Sequence, residues 1–300
     1  MGQIRVKNGS LIMLKLDEKK IRKGKPVGLP YVGSKKKISK KIVEIIKQNF
    51  GTDKTIYDVF GGGGAITAEL MINGIDVVYN DLDKTITDMF ERVVIQDRNY
   101  LKTLIVDRQT FFRIKNNPYK TVSDNLKLLV NSFGNDRKTY LYKKDISYVK
   151  YELAHRIIYN YDTFDGYRKT QLFKDRRFET SQLEQITRLA QLERLQQLPK
   201  LPKLMNQDYR YLSNVKNNIL YLDPPYENSD TSKYKSSINY QEFYDWAVQM
   251  SKNNIVLLSS YEVSDDRFEC VYEFKNARST MSGGMAGKRT EKLFMVKESN

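Results

Sequence analysis

The residues best equipped for chemistry lie in immediate succession: Asp223-Pro224-Pro225-Tyr226. Two prolines hold two φ angles near −65° and remove two amide donors, so the chain keeps one shape while its carbonyls stay able to accept. The Asp223 carboxylate and the Pro224 carbonyl can both accept from an exocyclic NH2, and Tyr226 can stack on a flat ring. The arrangement suits a planar, amine-bearing ring. As a purely structural element, the same tetrapeptide is a turn with Asp223 as its capping residue. A second constellation is Asp58-Val59-Phe60-Gly61-Gly62-Gly63, in which glycines let the backbone turn tightly and approach a ligand. The acidic residue Asp81, about twenty positions on, is spaced to accept from ribose hydroxyls.

These residues need elements to position them. Ile219-Leu220-Tyr221-Leu222 is an apolar run that reads as a buried strand delivering Asp223. Thr55–Phe60 reads as a strand, Ala65–Met71 as the helix after the glycine turn, and Gly74–Tyr79 as a second strand ending at Asn80-Asp81. Leu183, Ile186, Leu189, Leu192 and Leu195 recur at helical spacing, and Pro199 and Pro202 then close the helical region near residue 204.

Composition narrows the function classes. A chain of 300 residues with 40% hydrophobic content can bury a sizeable core as one large domain with an insert or as two modest domains. No apolar run is long enough to span a membrane and the amino terminus lacks a signal-type apolar region, so a cytoplasmic, reducing compartment is expected. One cysteine, Cys270, and one histidine, His155, argue against disulfides, zinc and Ser-His-Asp chemistry. The net charge of +15 is segregated: residues 1–57 carry +11 and residues 101–204 carry +10, against −5 for 58–100 and −1 for 205–300. A phosphate backbone is the expected partner of such a distribution, although a solvated lysine-rich face gives the same count.

Taken together, Asp223–Tyr226 resembles the DPPY motif of the amino-methyltransferases, and Asp58–Gly63 resembles their FxGxG-type motif, which contacts the methionine part of S-adenosylmethionine. Leu29-Pro30-Tyr31-Val32-Gly33-Ser34-Lys35 is similar to the segment, roughly Trp-Ala-Gly-Gly-Lys, that opens the Dam-like DNA adenine methyltransferases; Tyr31 stands for the Trp and Ser34 for the second glycine. The order of these segments is that of the alpha group. Smaller pieces, Glu242–Trp246, Ser259–Tyr261 and Thr290–Phe294, look like stretches of phage-borne and restriction-linked members. The resemblance implies an α/β, Rossmann-like class I methyltransferase sheet with a helical, hairpin-bearing target-recognition insert. The expected division is a catalytic domain over 1–104 and 205–300 and an insert over 105–204.

It also implies a site-specific transfer of methyl from S-adenosylmethionine to N6 of a flipped-out adenine in double-stranded DNA, without a metal and by a monomer in solution. Asp223, Pro224, Pro225 and Tyr226 would be catalytic. Tyr31, Gly33, Ser34, Lys35, Asp58, Phe60, Gly61, Gly62, Gly63, Asp81 and the pair Asp208-Tyr209 would hold the cofactor, with Lys35 facing its carboxylate or a phosphate. Of the relatives on this fold, cytosine-N4 enzymes usually carry Ser where this chain has Asp223, and RNA or protein-amide enzymes more typically Asn; a DNA-binding, non-catalytic relative is a further alternative. In the insert, turn formers followed by Thr139-Tyr140-Leu141-Tyr142 suggest a hairpin where Dam-like enzymes probe DNA, with Asn135, Arg137, Lys138 and Tyr140 as contacts. Lys288 and Arg289, at the end of the glycine-rich stretch Ser279–Arg289, are expected to grip a phosphate.

Overall fold

The structure, a computed structural model, describes residues 6–7, 10–11, 13–31, 33–176, 182–227, 238–278 and 290–297. Among them the strands are β1 (Val6–Lys7), β2 (Ser10–Leu11), β3 (Ile56–Asp58), β4 (Val77–Asn80), β5 (Lys203–Met205), β6 (Ile219–Leu222), β7 (Ile255–Ser260), β8 (Phe268–Arg278) and β9 (Thr290–Val296). The helices are α1 (Ser39–Phe50), α2 (Ala65–Ile72), α3 (Lys84–Ile95), α4 (Arg98–Lys102), α5 (Arg108–Asn116), α6 (Val122–Val130), α7 (Lys144–Tyr161), α8 (Gln171–Arg176), α9 (Glu184–Leu195) and α10 (Tyr240–Ser251). β1 and β2 form a small antiparallel pair; the other seven strands form one sheet in the order β5-β4-β3-β6-β7-β9-β8.

The first five strands of that sheet pair in parallel, and β9 joins antiparallel between β7 and β8. Parallel strands need crossovers, and helices covering both faces explain why β4 and β6 are buried along their whole length. Alternation is visible within β6: Ile219 and Tyr221 enter the large core under the helices of residues 39–195, while Leu220 and Leu222 enter the opposite layer with α10. The order reverses between β3 and β6, the place at which sheets of this kind open a crevice outside the carboxyl ends of their strands. The expected Rossmann-like α/β sheet is thus present.

Between β4 and β5 the described chain is helical. Leu101, Leu104 and Ile105, on either side of the expected seam at 104/105, share one cluster with the sheet, so the core is continuous there. The expected hairpin is rudimentary: a single bridge pairs Ser132 with Tyr140, flanked by Phe133 N–H to Thr139 O (2.7 Å) and Leu141 N–H to Asn131 O (2.9 Å).

Candidate active site

The carboxyl ends of β3, β4, β5 and β6 converge on a cavity of about 720 Å3, a size ordinary for a small-ligand site. β3 delivers Asp58 and the glycine turn, β4 delivers Asp81, β5 runs on to Asp208 and Tyr209, and β6 delivers Asp223. Every residue expected to be catalytic or cofactor-binding lines this one cavity.

The glycines are dictated by packing as much as by the cavity. A Cβ on Gly61 would lie 2.2 Å from the Tyr79 ring, one on Gly64 2.3 Å from the Phe90 ring, and one on Gly63 2.8 Å from Tyr31 Cβ. Asp81 braces the turn, its two oxygens accepting from Gly62 N–H (2.8 Å) and Asp83 N–H (2.8 Å). Tyr79 Oη donates to Gly62 O at 2.8 Å. Asn80, to which the sequence assigned nothing, ties the crevice together: its Nδ2 donates to Val59 O (3.0 Å) and Gln207 O (2.9 Å), and its Oδ1 accepts from Gln207 N–H (3.0 Å). Asp208 caps the turn after β5 and pairs with Arg210 at 2.8 Å, which holds its carboxyl below the usual range. Tyr209 packs its ring against Phe243 and Trp246, with Phe60 beside it.

Beneath the turn, Asp58 Oδ2 accepts from Thr67 Oγ1 (2.7 Å) and Thr67 N–H (3.1 Å). Burial nonetheless pushes its carboxyl up to about 7.

Lys35, expected to face the cofactor, lines the cavity and turns to the catalytic residues. Its side chain is buried, and its ammonium turns to the catalytic turn, 2.7 Å from Asp223 Oδ1 and 2.6 Å from Tyr226 Oη. A second carboxylate, Glu291 on β9, lies 3.6 Å from the same ammonium. Glu291 Oε2 accepts from Tyr226 Oη (2.9 Å) and Oε1 from Ser259 Oγ (2.9 Å). Burial alone would lower the Lys35 pKa, but Asp223 and Glu291 outweigh it and leave it raised. Asp223 is pushed up to about 6 by burial; Lys35 pulls it down and Glu291 pushes it up. The Tyr226 hydroxyl, which the sequence left without a task, therefore bridges the ammonium and Glu291. Its ring lies 4.3 Å from that of Tyr261, and Tyr240 Oη donates to the Pro225 carbonyl.

On the far rim, Asn135, Arg137 and Lys138 also line the cavity. Asn135 and Arg137 hold positive φ (61° and 57°), a conformation costly for a residue with a side chain. Tyr140 does not reach the rim and corrects the expected DNA contact: it is 3% exposed, its ring packs on Phe111, and its hydroxyl donates to Val106 O at 2.9 Å. An aromatic alternation names a strand but not which face looks outward. Lys288 and Arg289 lie outside the described residues. Among the described residues no cluster of His, Cys, Asp and Glu is arranged to hold a metal, and no helix is long and apolar enough to cross a membrane.

Against known proteins, no curated protein matches the sequence. Among solved structures the chain is similar, at 10% identity, to an Escherichia coli protein described as a methyltransferase (TM-score 0.35, covering 90% of this chain and 92% of that one) and to a Haemophilus influenzae protein described as a methylase (TM-score 0.32, 87% and 89%). The family model of the D12 class N6 adenine-specific DNA methyltransferases matches residues 31–259, from the segment opening at Tyr31 through the glycine turn and the catalytic turn to β7. The chain belongs to the D12 class N6 adenine-specific DNA methyltransferases.

Proposed function

We propose that the crevice binds S-adenosylmethionine along its glycine side and a flipped-out adenine of double-stranded DNA at the Asp223 turn, and that methyl passes between them to N6. The observation that carries this reading is that one cavity brings together the glycine turn and the Asp223 turn, whose Oδ1 accepts from a nitrogen, that of Lys35, at 2.7 Å. The donor set fits the cofactor. Tyr31, Phe60 and Tyr209 offer aromatic faces, and Asp81 and Asp208 offer acceptors for hydroxyl and amine groups.

When bound, the cofactor supplies an electrophilic methyl group on a sulfonium. Asp223 and the Pro224 carbonyl accept from the adenine amine, localising its lone pair toward that methyl. Transfer to N6 would leave the cofactor as a neutral thioether, with Asp223 and the Pro224 carbonyl holding the amine in line with the methyl. The amine, now carrying one positive charge, releases its proton to Asp223, whose carboxyl near 6 can take it and return it to water. Orientation and a preorganised, water-poor pocket supply most of the acceleration.

Asp223→Ala tests the reading. It should leave cofactor binding by calorimetry within a few-fold of wild type and lower N6-methyladenine formation, measured by mass spectrometry on DNA, by roughly 10³-fold or more, since it removes acceptance used most in the transition state. Turnover comparable to wild type would refute the assignment.

A further inference from the structure

The Lys35 ammonium occupies the donor position on Asp223 Oδ1, the atom assigned above to a base amine. It is a nitrogen donor 2.7 Å from Asp223 Oδ1, 2.6 Å from Tyr226 Oη, and 4.9 Å from the centre of the Tyr226 ring. An adenine amine accepted by Asp223 Oδ1 would take that position, so for that geometry the ammonium must yield. It cannot yield to nothing. A buried charge stripped of its partner is strongly disfavoured, and the side chain of Lys35 is only 7% exposed.

Among the described residues, one further carboxylate pairs with it. Glu291, 5% exposed at its side chain, already stands 3.6 Å from Lys35 Nζ, on the strand that bears no part of the motifs read from the sequence as catalytic. Its carboxylate is fixed from both sides by Tyr226 Oη and Ser259 Oγ, so it cannot swing to the lysine; the lysine, on four flexible carbons, moves to it. We propose that Lys35 is a placeholder for the target amine on Asp223, and that Glu291 is the positioning carboxylate that takes the ammonium when the amine enters. The inference rests on the reading of Asp223 given above.

The exchange makes entry of the base a competition. Glu291→Gln preserves shape but offers no charge, so the ammonium stays on Asp223 and the amine competes less well. E291Q should lower kcat/KM for DNA by roughly 30-fold, chiefly through KM, with thermal stability close to wild type. In a Lys35→Gln background the placeholder is gone, and the same E291Q change should cost less than about threefold, a non-additivity that mere scaffolding would not produce.

The acid limb of kcat/KM gives a second readout. Asp223 must be ionised to accept. The charged or titratable groups around it are Lys35 from the turn before α1, Asp58 at the end of β3, Tyr221 on β6, Tyr226 beyond the prolines and Glu291 on β9. Removing the Glu291 charge removes an influence that raises the Asp223 carboxyl, so the limb should move to lower pH in E291Q. Removing the Lys35 charge should move it to higher pH in K35Q.

The measurements are steady-state methylation of DNA by wild type, E291Q, K35Q and the double variant across pH. Full losses in E291Q that persist unchanged in the K35Q background, or wild-type kcat/KM and an unmoved limb in E291Q, would overturn the inference. If E291Q does not fold, the double variant against K35Q decides: near-equality supports the exchange, and a large further loss overturns it. Failure of the wild type itself to form N6-methyladenine would instead sink the reading of the active site.

Discussion

At the scale of single residues, the active turn is governed by one buried ammonium that donates to two oxygens and stands beside a third group, the Glu291 carboxylate. Lys35 holds Asp223 and the Tyr226 hydroxyl together, and the hydroxyl passes its own hydrogen to Glu291. A tyrosine that served only to stack on a base would tolerate loss of its hydroxyl. This one does not stand alone. Tyr226→Phe keeps the ring beside Tyr261 but strips an acceptor from Lys35 and a donor from Glu291, both buried. It should lower kcat/KM by about tenfold or more, the order of cost of two unmet polar contacts in a closed site, and Tyr226→Ala should lower it further. Steady-state methylation by the two variants decides this, and a Phe variant indistinguishable from wild type would show that the hydroxyl bridge is idle.

At the scale of elements, the rim loop between α6 and Tyr140 is shaped from behind by α9. Arg188, 5% exposed, donates from one nitrogen to Leu129 O (2.8 Å), Val130 O (3.3 Å) and Ser132 O (2.6 Å), and Ser132 Oγ accepts from Arg137 N–H at 3.0 Å. The clamp joins the carboxyl end of α6 to the backbone that holds Arg137 at positive φ. Arg188→Met fills similar volume but leaves these carbonyls unmet. It should cost about 2–4 kcal/mol of stability and weaken DNA binding far more than S-adenosylmethionine binding. Thermal melting and calorimetry with each ligand test it, and equal losses for both ligands would remove the loop's special role. Much of this architecture was legible in sequence. Period-two and helical patterns located β3, β6, α2 and α9, because those signals are local. The clamp, the Asn80 tie and Glu291 were not legible, because each works on groups brought beside it only by folding. Tyr140 was misread for the same reason: the loop closes with a single bridge, and burial under α5, not strand alternation, fixes where its ring points.

At the scale of the whole molecule, the question is whether positive charge acts as a general field or as placed contacts. The chain carries +15, concentrated in residues 1–57 and 101–204, while the crevice itself is lined by Asp58, Asp81, Asp208 and Asp223. An acidic crevice with a basic rim would repel a phosphate from the cofactor's place and accept it at the edge. Arg137 and Lys138 stand on that rim, at the carboxyl ends of the parallel strands. Lys200 stands just before β5 and pairs with Asp76, which precedes β4, and so marks the amino ends. Charge reversal at each position changes the net charge equally, so a general field predicts equal effects. Placed phosphate contacts predict that Arg137→Glu and Lys138→Glu each reduce the slope of log affinity against log salt by about one unit, whereas Lys200→Glu leaves it unchanged. Fluorescence titrations of duplex DNA at several salt concentrations measure the three slopes. Equal slopes for all three variants would mean that the rim makes no phosphate contact of its own and that the +15 acts only at a distance.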